Sequence, residues 1–125
     1  MEEFTRAGAR VAVIDREPLG YECDFYFQGD LAEKESLEAF ASDVIERYGK
    51  IDYLINNAAL PRQGILSRCS YEDFMYVQQV GVGAPYFLTM LLQDHFSEGG
   101  AIVNIGSTRW DMSQTDTESY SASKG

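Results

Sequence analysis

The chain has 125 residues, 45% of them hydrophobic and 13% aromatic, which suits one domain with a core of its own. Ten basic residues against 20 acidic ones give a net charge of −10. No Lys/Arg cluster is present, which argues against a nucleic-acid partner. The cysteines Cys23 and Cys69 are far apart and His95 is the single histidine, so neither a disulfide framework nor a metal-ligand cluster is expected. No run is long enough for a membrane span, and the acidic N-terminus lacks the apolar core of a signal peptide. A cytoplasmic location is expected.

Residues 2–7 read as the tail of a helix closed by Gly8. Arg10 to Ile14 is a β-branched run that predicts a buried parallel strand, ending in Asp15-Arg16. A Pro-Leu-Gly turn at 18–20 leads to a second strand, Asp24 to Gln28, which ends in Gly29-Asp30-Leu31. From 32 to 48 the apolar residues Leu37, Phe40, Ala41, Val44, Ile45 and Tyr48 fall on one helical face. Asp30 and Glu33 have the spacing of a capping box, and Gly49 stops the helix. Ile51 to Ile55 predicts a third strand, ending in Asn56-Asn57-Ala58-Ala59.

A loop containing Pro61 and Gly64 follows, then a long helix over 71–96 with Ser70 as its N-cap. Gly81, Gly83 and Pro85 weaken that helix, and Pro85 is expected to bend it. Its residues Phe74, Val77, Tyr86, Leu88 and Leu92 suit either a subunit interface or a cover for the sheet. Ala101 to Ile105 predicts a fourth strand, ending in Gly106-Ser107. Residues 108–118 read as a loop bordering a substrate pocket through Trp110 and Met112, although Trp110 can equally cover the core edge. A last helix starts near Ser119. The alternation of strands and helices predicts an α/β fold: a partial Rossmann-like, doubly wound parallel sheet with helices on both faces.

All four strands end in small or polar residues, at the side of such sheets where ligands bind. Asp15 can accept hydrogen bonds from both hydroxyls of an adenosine ribose, which favours NAD over NADP; it also reads as a solvated loop acid. Arg16 beside it can pair with a 2′-phosphate. Asp30 can bond the adenine amino group while Leu31 packs on the ring, and Asp30 also reads as a helix cap. Asn57 and Ala58 permit close approach of a cofactor, or serve as turn residues. Tyr120 and Lys124 are four residues apart, on one helical face. A cation there favours the phenolate, so Tyr120 can exchange protons as a general acid/base. Ser107, thirteen positions earlier, can bond the same substrate oxygen. Taken without its context, a Tyr-x-x-x-Lys spacing more often marks a solvated helix face.

These pieces resemble the short-chain dehydrogenase/reductase family. The resemblance rests on Val-Ile-Asp15, Gly29-Asp30-Leu31, Tyr48 to Ala59, Ile102 to Ser107 and Tyr120 to Lys124, so it covers nearly the whole chain. It implies an NAD(P)-dependent oxidoreductase that transfers a hydride to or from an alcohol or ketone. By resemblance Tyr120 is the acid/base. Lys124 lowers its pKa and binds the nicotinamide ribose, and Ser107 orients the substrate oxygen. Asp15, Asp30, Leu31, Asn57 and Ala58 line the adenosine side of the cofactor. Homodimers or homotetramers are expected of the parent protein.

Three departures from the family pattern stand out. The opening strand with its glycine-rich pyrophosphate loop and the part beyond Gly125 are absent, so residues 1–125 read as one truncated cofactor-binding domain, inactive as given. A 3-2-1-4-5 strand order without its first strand predicts a gap between the strands at 10–14 and 51–55. Gly81 stands where the family often has an Asn that supports a proton relay, and Ala59 stands for a Gly. A non-enzymatic interaction module is the competing expectation.

Overall fold

The computed structural model describes residues 2–20, 22–60, 69–112 and 114–125. The predicted loop at Pro61 and Gly64 lies outside the described residues, as does the side chain of Trp110. The elements in chain order are α1 (Glu2–Arg6), β1 (Ala12–Asp15), β2 (Phe25–Gln28), α2 (Lys34–Tyr48), β3 (Ile51–Asn56), α3 (Tyr71–Gln78), a π-helical turn (Gln79–Gly83), α4 (Ala84–Leu92), β4 (Phe96–Asn104) and α5 (Glu118–Lys124). This is the expected α/β class, and both strand pairs are parallel.

The sheet is in two pieces. β1 pairs with β2 and β3 pairs with β4, and among the described residues β1 and β3 are not hydrogen-bonded to each other. The predicted gap between these strands is therefore present. Each pair runs on past its strand ends: Gly29 N–H donates to Asp15 O at 3.0 Å, and Ile105 N–H to Asn56 O at 2.9 Å. Gly29 is required by its neighbours, since a Cβ there would stand 2.6 Å from the Phe27 ring.

The core is helical. Leu37, Phe40, Ala41 and Val44 of α2 meet Ala84, Leu88 and Leu92 of α4, all buried. Both strand pairs rest on this layer, β1–β2 through Ile14, Phe25 and Phe27, and β3–β4 through Ile51, Leu54 and Phe96. Phe40 stacks on Phe25 at 6.2 Å and meets Phe27 edge-on at 6.1 Å. The buried face of α2 is the one its periodicity predicts. The expectation of a buried first strand is corrected: β1 is half-buried and its end exposed.

Other boundaries moved for physical reasons. Asp30 does not cap α2; the N-cap is Glu33, without a side-chain bond, because the Asp30 Oδ1 accepts instead from Ala32 N–H at 2.9 Å. Ser70 and Asp73 do form a reciprocal capping box on α3. Pro85 does not break the long helix. The π turn immediately before it takes up the lost i→i−4 bond, and Pro85 lies in the first turn of α4, where no N–H is needed. The long helix ends at Leu92 rather than 96, and β4 starts at Phe96 rather than Ala101. Ser97 to Gly100, between the predicted helix and the predicted strand, lies within β4 as an irregularity: Ile51 pairs with Phe96 and Tyr53 with Ala101. Gly99 supplies the left-handed conformation this needs (φ 79°).

Phe40→Ala is expected to cost about 3–5 kcal/mol, because it empties the space between Phe25 and Phe27. A fall in the urea unfolding midpoint at constant slope measures it.

Candidate functional site

The ends of three of the four strands, β1, β2 and β3, share one cleft. Asp15, Asp30, Leu31, Asn57 and Ala58 line one cleft of about 220 Å³, together with Ile14, Arg16, Tyr76 and Val80. The cleft is smaller than the roughly 300–1,000 Å³ of pockets for drug-sized ligands, so it suits part of a dinucleotide. Asp15 is exposed, and its Oδ1 accepts from Glu17 N–H at 3.0 Å, which fixes the carboxylate at the mouth. Asn57 and Ala58 are exposed, and Leu31 is half-buried.

Tyr76 is the residue of this cleft that sequence reasoning missed. Its hydroxyl donates to Asp30 Oδ2 at 2.5 Å and accepts from Arg16 Nη1 at 3.0 Å. Burial, reinforced by the bond to Asp30, pushes the Tyr76 phenol above its ordinary range. The bond from Tyr76 likewise raises the Arg16 guanidinium, which stays a cation. Arg16 Nε also donates to Glu17 Oε1 at 3.2 Å.

The second group of predicted residues lies at the end of β4. Ser107 is half-buried and caps a short 3-10 turn, its Oγ accepting from Arg109 N–H at 3.3 Å. α5 carries Tyr120 and Lys124 one turn apart, both half-buried. Lys124 Nζ donates to Ile105 O at 2.6 Å, two residues before Ser107, so α5 is tied to the strand that delivers the serine. At its other end, Gln78 Nε2 donates to the backbone oxygen of the buried Ser119 at 2.9 Å.

Gly81 acquires a steric meaning here. A Cβ at this position would lie 2.7 Å from Ser123 Cβ and 3.0 Å from Ser123 Oγ. The π turn and α5 therefore touch through a glycine and a serine, and a larger residue at 81 has no room while α5 stays in place. Among the described residues no cluster of His, Cys, Asp and Glu could hold a metal, and no helix is long and apolar enough to cross a membrane.

The sequence pattern of the short chain dehydrogenase family matches residues 1–125. The chain belongs to this family. An uncharacterized oxidoreductase of Thermotoga maritima is 34% identical over 102 residues, covering 80% of this chain and 40% of the relative. A solved apo SCOR enzyme from Clostridium thermocellum is 37% identical with a TM-score of 0.90, covering 99% of this chain and 54% of that one. A short-chain dehydrogenase from Burkholderia cenocepacia, solved with NADP, is 30% identical with a TM-score of 0.74, covering 80% of this chain and 41% of that one. The chain thus spans about half the length of the family members it matches.

Gly81→Ala is expected to destabilise the chain by about 1–3 kcal/mol through overpacking. In a double-mutant cycle, Ser123→Gly should offset part of that loss. Ser123→Ala, which keeps the clashing Cβ, should not. Urea unfolding of the three single and two double variants and the parent chain reads the coupling.

Proposed function

We propose that this chain carries the cofactor-binding cleft and the acid/base residues of an NAD(P)-dependent oxidoreductase that interconverts an alcohol and a ketone. The observation that supports it most is the adenosine-sized cleft lined from the ends of β1, β2 and β3; at the end of β4, Ser107 lies two residues beyond the backbone oxygen that anchors Lys124 of α5. Asp15 would accept from the adenosine ribose, Asp30 and Leu31 would hold adenine, and Asn57 and Ala58 would admit the cofactor close to the backbone. Tyr120 would trade the proton with the substrate oxygen, which Ser107 orients. Lys124 would hold the nicotinamide ribose. The cofactor, when bound, supplies the hydride. Both its forms have a recognising group here, Asp15 for a free ribose and Arg16 for a 2′-phosphate.

With flanking segments of the family restored to the chain, turnover of an alcohol and ketone panel, followed by nicotinamide absorbance, is expected to be lost in Tyr120→Phe, with cofactor affinity within about twofold of the unsubstituted protein. Turnover that survives the change would sink the role of Tyr120. A second reading has its own observation: Gly81 stands where the family often has the relay Asn, and Ser123 leaves no room for a side chain there. On that reading the 125 residues are a non-enzymatic module, and saturable cofactor binding without turnover of any panel member is its signature.

A second copy of the chain is the proposed cover for the outer face of the long helix. The apolar residues exposed there are Tyr71, Met75, Val82, Tyr86 and Met90, spaced by four or seven. Of the residues expected at this face only Tyr86 is on it; Val77, Leu88 and Leu92 are buried, and Phe74 is half-buried. Tyr86→Lys is expected to shift the chain toward monomer in sedimentation equilibrium, with its circular dichroism unchanged.

A further inference from the structure

We propose that Tyr76 is a positioning residue that sets the preference of the cleft for a 2′-phosphorylated over an unphosphorylated adenosine. The inference rests on the nucleotide reading of the cleft. Arg16 is the cation at the mouth, and its side chain is exposed, so without a tether it would sample many rotamers. Two partners hold it. Glu17 takes Nε at 3.2 Å, and the Tyr76 hydroxyl takes Nη1 at 3.0 Å.

The second tether is the stiffer one. Tyr76 stands on α3, fixed by the Ser70–Asp73 cap, and its own hydroxyl proton is committed to Asp30 at 2.5 Å. Donation to a carboxylate makes the phenol oxygen a better acceptor for Arg16, since hydrogen bonds in a chain polarise one another. Asp30 is fixed in turn by Ala32 N–H at 2.9 Å. The row Arg16–Tyr76–Asp30 thereby links the ends of β1 and β2 to α3 across one rim of the cleft.

Two of the five guanidinium N–H groups are used in this row, and three are left for an incoming phosphate. A phosphate needs the guanidinium at a fixed distance and angle, whereas a ribose hydroxyl bound to Asp15 needs nothing from Arg16. Freeing Arg16 therefore weakens one ligand and spares the other. Ordering a long side chain on binding costs a factor of roughly two to ten in affinity.

The test is a titration of the isotopically labelled 125-residue chain, followed by amide NMR, with adenosine 2′,5′-bisphosphate and adenosine 5′-monophosphate. Tyr76→Phe, which removes only the hydroxyl, is expected to weaken the bisphosphate about fivefold and the monophosphate less than twofold. Arg16→Gln should remove the same preference. In the Tyr76→Phe background it should remove less than in the parent, because the two residues act as one unit. Equal losses for both nucleotides, an unchanged ratio, or fully additive effects overturn the role of Tyr76 while leaving the cleft a nucleotide site. A parent chain that binds neither nucleotide overturns the nucleotide reading itself, and the role of Tyr76 with it. The amide spectrum of each free variant separates a lost fold from a lost contact.

Discussion

The apolar contact between α2 and α4 joins the two halves of the sheet, since both strand pairs pack on it and, among the described residues, β1 and β3 are not paired. Phe40 presses on β2, Leu88 and Leu92 lie in the same cluster, and Phe96 and Leu54 reach it from the other strand pair. In most parallel sheets the strand ladder aligns the strand ends and the helices cover it. Here the helices do the aligning. The cleft depends on that arrangement, since its Asp15 and Asp30 come from one strand pair and its Asn57 and Ala58 from the other.

The second constraint is the contact of α5 with the π turn. Among the described residues α5 is held by Lys124 on Ile105 O, Gln78 on Ser119 O, and Ser123 against Gly81. The π turn puts Gly81 at that contact, and it leads straight into α4, in whose first turn Pro85 lies. A single local irregularity thus serves both the continuity of the long helix and the seat of Tyr120.

Much of this was legible in the sequence, where short-range physics decides the outcome. The face of α2, the Ser70–Asp73 cap, the strand pairing and the convergence of the β1, β2 and β3 ends all follow from periodicity, turn chemistry and topology. The misreadings occurred where a distant partner competes with a local one. Asp30 looked like a cap for α2, but its oxygens are taken by Ala32 and by Tyr76, 46 residues away. Phe96 looked like the end of the long helix, yet it pairs with Ile51 of β3 and opens β4. Gly81 looked like a lost side chain, and only the position of Ser123 shows that a side chain has no room. Tyr76 carried no signal, because nothing near it in sequence distinguishes it from other half-buried residues of α3.

The split sheet has a colloidal consequence. An unpaired parallel edge is a template for another strand, and with the sheet in two two-stranded pieces each of β1, β2, β3 and β4 has one among the described residues. The net charge of −10 opposes that encounter, since copies of the chain repel one another over a Debye length of about 10 Å in 0.1 M salt. The protection is long-ranged and electrostatic, with no part in the folded contacts themselves. It fades as salt rises or as the pH falls toward the isoelectric point near 4.4.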